Sequence, residues 1–497
     1  MRRIILFIGI LCFLFMGIRV GQSATTTSIT QRGITWHFNK SYEYGKFANG
    51  DYWVVGPVTI TSITPDFDGK HNGWEVNPAV GAYHGFDNLC KNGGFNADIV
   101  PSMPYTTKLP IESIVKTISS GLAQPCVRTA AVLTVLPSAP ANNGSTVFRP
   151  PYAGTSKPLY STSKLRTDLL PSLVPVGTPP SLTDVKGKFD YLRLEHLTSN
   201  ARRDCRPSDA VENYNPKNQP GNHDALLRLM LNDSIQNKMP ALIAVVQHGI
   251  DQAHIIIDGW ETWMGDGHDP GHRIIGAFAA TMLDITAART KLAAATNFHE
   301  DHYTDYTALW GEGSTEDHYW TYVRGLGSGR SNRDPYGFID GGMCGTDYQL
   351  IVSQSWKSSV LVTSVMPSIQ SAWNPTKLAV LRRYVERWVN TGVWAQPDPC
   401  APYTAYGVYG VHYGPDPRNP GMCILDPKLK YYNTRTDFQC SAGVQCGRYP
   451  TKHGTEKNGG MYRSDFVAAM WNAYYRYQQE TQQMRPNSPT GLRLIQP

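Results

Sequence analysis

The rhythm of hydrophobic and polar positions changes near residue 190. Before it, short β-branched and aromatic runs alternate with Pro and Gly: Ile34–Phe38, Asp51–Ile63 and Cys126–Leu136 read as strands bounded by turns. Pro110–Ser120 reads as one helix among them, and the Pro/Ser/Thr-rich stretch Pro137–Pro180 reads as extended surface chain. From about Tyr191 the spacing becomes helical. Asp224–Asn232, Pro240–Ile257, Arg273–Thr290, Leu350–Met366, Pro375–Asn390 and Ser464–Gln479 carry apolar residues at helical intervals. Some are apolar almost all round and others are charged on one side, as inner and outer helices would be. The pattern therefore predicts a mainly α fold: an (α/α) toroid of six or seven helical hairpins, with a strand- and loop-rich N-terminal part.

The first residues alter the picture of the mature chain. Arg2 and Arg3 precede a thirteen-residue apolar run, Ile4–Met16, and Gly21–Ala24 supplies small residues for cleavage. This is the layout of a signal peptide, and the run is shorter than the roughly 20 residues of a membrane span. The expected organisation is a signal peptide over 1–24, a strand-rich part over 25–190 and a helical part over 191–497. The expected location is secreted or periplasmic, with no membrane attachment after processing. Removing Arg2, Arg3 and Arg19 takes the net charge from +6 to near +3. So small an excess, without any Lys/Arg run, excludes a nucleic-acid footprint. Of nine cysteines, Cys12 leaves with the signal, and the even remainder in an exported chain allows disulfides whose connectivity the spacing leaves open. No CxxC pair occurs, which argues against a zinc knuckle.

Candidate chemistry gathers where helices are predicted to start. Three polar, Gly-containing segments, Pro220–Asp224, Gly265–Arg273 and Gly342–Tyr348, precede apolar helices, and Gly459–Arg463 precedes the last. Parallel inner helices would bring these starts to one end of the barrel, where free N–H groups favour a carboxylate. In Gly265–Arg273, His268, His272 and Arg273 stand on a Gly-rich turn open to close approach by an anion; helix capping by Asp269 is the alternative reading. Zinc held by His268 and His272 is disfavoured by Pro270 and Gly271 between them. Asn222 and His223 can both donate to a carboxylate, or act as a cap and a solvated ring. His248 and His254, inside a helix, read as core or surface residues. Tyr319, Tyr336 and Tyr348 lie in stretches rich in His and Arg, including Arg330, that would lower a phenol pKa.

Gly45–Val58, Asn72–Pro78, Phe148–Lys157 and Gly267–Arg273, in this order, resemble landmarks of polysaccharide lyase family 38. The resemblance implies an α/α barrel acting on glucuronan or alginate by β-elimination, with no metal or other cofactor and an acidic polysaccharide as partner. It implies catalysis by His268 as base or carboxylate neutraliser, with Tyr348 or Tyr336 as acid/base and Arg330 tuning the tyrosine or binding a carboxylate. Asn222 and His223 resemble the Asn-His pair of toroidal lyases of a different family, which makes His223 a further candidate. Asn222, His272, Arg273, Arg149 and Lys157 would bind substrate. The stretch Arg202–Gly221 and the Cys-containing tail Cys400–Cys446 depart from the family pattern as insertions. Two other readings stay open: a glycoside hydrolase using paired carboxylates among Asp258, Glu261, Asp266 and Asp269, and a non-catalytic secreted glycan-binding protein.

Overall fold

The computed structural model describes residues 24–259, 271–304, 347–385 and 462–475, except positions 82, 93 and 297, together with a strand pair at 413–415 and 423–425. The toroid expectation is overturned. The N-terminal part is a strongly curled mixed sheet, a half-barrel of seven to eight strands; with 41 % helix and 19 % strand, the chain is not a mainly helical ring. Strands β1 (Thr25–Gln31), β2 (Ile34–Lys46), β3 (Tyr52–Val55), β4 (Thr59–Thr64), β5 (Trp74–Val76), β6 (Tyr105–Thr106), β7 (Glu112–Ser119) and β8 (Val127–Leu136) run in the order β5-β7-β8-β3-β2-β4-β6, with β1 against β2. Only β3 and β8 are parallel; the other pairs are antiparallel.

The segment expected to be a helix at Pro110–Ser120 is the buried strand β7. Ile114, Val115, Thr117 and Ile118 are all β-branched, and pairing with both β5 and β8 satisfies the backbone. Its neighbour β8 shows the two faces of the sheet by alternation. Ala130 and Val132 join the core shared with the helices, whereas Ala131, Leu133 and Val135 join a second core on the opposite face.

The helices are α1 (Leu182–Phe189), α2 (Ser199–Cys205), α3 (Asn215–Leu229), α4 (Ile235–Ile257), α5 (His272–Met282), α6 (Thr286–Ala294), α7 (His299–Thr304), α8 (Asp347–Val365), α9 (Pro375–Tyr384) and α10 (Asp465–Met470). Ser234 caps α4 by accepting from Asn237 N–H. The single helix expected over Arg273–Thr290 is two, because Asp284 adopts a left-handed φ of 55° between α5 and α6. The segment Pro220–Asp224, expected as a loop before a helix, lies inside α3, which begins five residues earlier with Pro216 in its first turn. The helical part and one face of the sheet share a single hydrophobic core, from Phe86 and Val115 to Trp471. No helix among the described residues is long and apolar enough to cross a membrane.

Candidate functional site at the seam between sheet and helices

Helix α4 is buried over most of its length and carries His248, Asp251 and His254, with Asp258 as its C-cap. Spacings of three, three and four residues place these four on one stripe of the helix. The stripe faces the segment that leaves the sheet, residues 149–160. Arg149 is buried and donates through Nη2 to Asp251 Oδ2 (2.5 Å) and through Nε to Asp51 Oδ2 (2.7 Å). Burial alone would release its proton, but the two carboxylates outweigh that and hold it charged. This clamp ties β3's approach, the segment and α4 into one unit.

Further along the stripe, Tyr160 Oη lies 2.9 Å from His254 Nε2. Tyr160 is half-buried and His254 buried. Burial, and then the nearby Lys157 ammonium, push the imidazole down to about 4, so it is neutral at pH 7. Burial also raises the Tyr160 phenol. Lys157 Nζ donates to three backbone carbonyls, of Pro151 (2.6 Å), Tyr152 (3.0 Å) and Ala153 (3.3 Å). All three ammonium protons are thereby engaged, and desolvation followed by Arg149 repulsion lowers its pKa to about 7. Asp258, exposed at the end of the stripe, packs where a side chain at Gly154 (φ +69°) would collide with its Oδ2.

A second polar cluster adjoins the first through His248. Glu195 accepts from Arg206 Nη2 (3.2 Å) and lies 3.1 Å from His272 Nε2, at the first residue of α5. Burial alone would raise Glu195, but Arg206 and His272 hold it well below the usual range. Arg193 Nη1 donates to Asn222 Oδ1 (3.0 Å), and its guanidinium stacks 4.6 Å from the Phe189 ring centroid. His223 Nδ1 donates to the Gln219 carbonyl (2.8 Å), which fixes Nε2 as the acceptor from Ser359 Oγ of α8 (3.2 Å). Burial pushes this ring down to about 4. Gly271 (φ +78°) starts α5 against Gln219, and any Cβ there would strike the Gln219 amide.

The structure thus gathers Arg149, Lys157, Asn222, His223 and His272 at this seam. Both nitrogens of His223 are engaged within the fold, Nδ1 by Gln219 and Nε2 by Ser359. Arg273 points elsewhere: it pairs with Asp301 (2.8 Å) and stacks on Phe298 and Trp373, which makes it a packing residue rather than a substrate contact. His268, Arg330 and Tyr336 lie outside the described residues, as does the side chain of Tyr348, the second residue of α8. Tyr160 and His254 were missed. The signal available was the stripe itself, His248, Asp251, His254 and the C-cap Asp258 at helical spacing along a largely buried helix.

No family model, no curated protein and no solved structure matches this chain.

The stripe also bears on paired-carboxylate chemistry. Of its two carboxylates, Asp251 is bound on both oxygens by Arg149 and Asp258 is raised by partial burial, while Glu261, Asp266 and Asp269, the other carboxylates expected for a hydrolase, lie outside the described residues. A hydrolase needs two available carboxyl groups across the scissile bond. The seam offers instead a phenol and a neutral imidazole in contact, beside a buried ammonium.

Proposed function

We propose that the protein is an exported polysaccharide lyase that cleaves 4-linked uronic-acid polymers by β-elimination at this seam. The observation that carries the reading is the 2.9 Å contact between half-buried Tyr160 and neutral, buried His254. Tyr160 is the group within reach of a polymer, and His254 stands behind it. As the phenol oxygen takes the C5 proton of a uronate, its own proton passes to His254 Nε2. The C–H electrons form the C4–C5 double bond, the C4–O4 bond breaks, and the phenol proton is delivered to O4. His254 then returns its proton to Tyr160. The raised phenol and the lowered imidazole make a separated phenolate–imidazolium pair costly, so the proton moves to His254 only in step with C5 deprotonation. Lys157, with no donor to spare, supports the charge developing on the uronate carboxylate through its field rather than a hydrogen bond. Glucuronan and alginate are the proposed substrates, following the sequence resemblance.

The test is the ultraviolet absorbance of an unsaturated uronate when the purified chain meets glucuronan, alginate or pectate. Reducing ends without that absorbance would replace this reading with hydrolysis. Neither signal from any of the three polymers would reject it.

A further inference from the structure

The sheet face turned away from the helices breaks its own pattern. Along β7, residues 114, 116 and 118 point the same way, and two of them, Ile114 and Ile118, belong to the second apolar core. The residue between them is Lys116. It is buried, its register partner on β5 is Trp74, and its ammonium donates to the backbone carbonyl of Asn72. Among the described residues no carboxylate lies within ion-pair distance of it, although Asp66 and Asp68 act on it from farther away. Burial pushes this lysine down to about 7, so holding an ammonium in the apolar row costs stability, and such departures mark places held for a ligand.

A cavity of about 500 Å³ opens above it. Lys116 and Trp74 line it together with Phe67, Val100 and Met103, and Asp66, Ser62 and Ser102 supply polar groups. Trp74, Phe67, Val100 and Met103 all belong to the core on this face or pack against it, so the cavity lies on the opposite side of the sheet from the seam. The volume suits a small ligand, and the lining follows the usual plan of apolar walls with a few placed polar groups.

We propose that this cavity is a binding site for a sugar acid: a single uronate unit with its carboxylate on Lys116 and its ring against the apolar wall. Its hydroxyls face Asp66, Ser62 and Ser102. The combination of the Lys116 ammonium with Ser62 and the exposed Asp66 and Ser102 at the mouth favours a polyhydroxylated acid over an aliphatic one, because hydroxyls can hydrogen-bond to these groups and an alkyl chain cannot. The site is separate from Tyr160 and His254, and its occupancy does not depend on the proposed reaction.

The experiment is calorimetric titration of the full chain with sodium glucuronate, with glucose and sodium octanoate as comparisons. Glucuronate should bind saturably, and glucose about tenfold more weakly or less, since it lacks the charged partner for Lys116. Lys116→Met and Phe67→Ala, each checked by thermal unfolding, should both weaken glucuronate binding by about tenfold or more. No saturable binding, undiminished binding in the folded variants, or binding of octanoate in preference to glucuronate would overturn the proposal.

Discussion

Tyr160 and His254 meet across two parts of the chain that differ in kind. The tyrosine stands on the irregular segment leaving the sheet and the histidine on the longest described helix, 94 residues later. The Arg149 clamp, with bonds from Tyr152 N–H to Asp251 and from Gln247 to the Arg149 carbonyl, holds the segment against α4.

Tyr160→Phe and His254→Gln should each lower the rate of uronan cleavage by roughly 10²- to 10⁴-fold, the range of a proton-transfer group. Neither should greatly change thermal unfolding, since both substitutions keep ring or side-chain volume. Initial rates of unsaturated-uronate formation beside melting curves make the check. Full activity in both variants would remove these residues from the reaction.

Arg149→Met should destabilise the protein by about 3–5 kcal/mol or more, because it strands Asp51 and Asp251 as buried charges. Urea unfolding measures the loss. The triple change with Asp51→Asn and Asp251→Asn should recover a good part of it, as the stranded charges are then gone. Failure to recover would place the effect in packing instead of charge.

Glu75 gives a pH dependence of known sign. It is buried on β5, accepts from Gly85 N–H at 2.7 Å, and burial raises it to about 7 from an ordinary 4.5. The folded state therefore holds this proton more tightly than the unfolded chain. Its contribution is full below about pH 4.5 and is lost as pH rises through 7, amounting to about 3 kcal/mol. Glu75→Gln, which keeps the acceptor and cannot ionise, should flatten that part of the stability profile. An unchanged slope between pH 4.5 and 8 in the variant would refute the assignment.

Cys90 and Cys126 form a disulfide with a sequence separation of 36, and the buried thiol of Cys205 lies 3.1 Å from Cys90 Sγ. Closing such a loop is worth about 4 kcal/mol on the chain-entropy account. Cys126→Ala alone should lose less than Cys126→Ala with Cys205→Ala, because Cys205 stands ready to pair with Cys90 on oxidation. Non-reducing peptide mapping of the single variant should find the Cys90–Cys205 link; a free Cys90 there would contradict this.

Local rhythm in the sequence was enough for the places where short-range physics decides. The strand at Val127–Leu136 and the helices over Ile235–Ile257 and Asp347–Val365 follow from side-chain spacing, β-branching and capping within a few residues, and all three were legible. Asn222 and His272 stood out as polar residues near predicted helix starts, whereas Arg149 and Lys157 entered only through the family resemblance. Tertiary structure alone decided the rest. Glu112–Ser119 has helix-compatible ends, yet strands pair along both its edges and separate cores bury its two faces, and no local pattern records partners 38 residues before or 15 after. The ring of helices failed for the same reason: apolar helices need a buried surface, and the curled sheet supplied one that the periodicity of the helices could not reveal. The seam is likewise a product of folding. His254 alone is one histidine in a buried helix; only the return of residues 149–160 across α4 gives it a tyrosine, an ammonium and a lowered pKa.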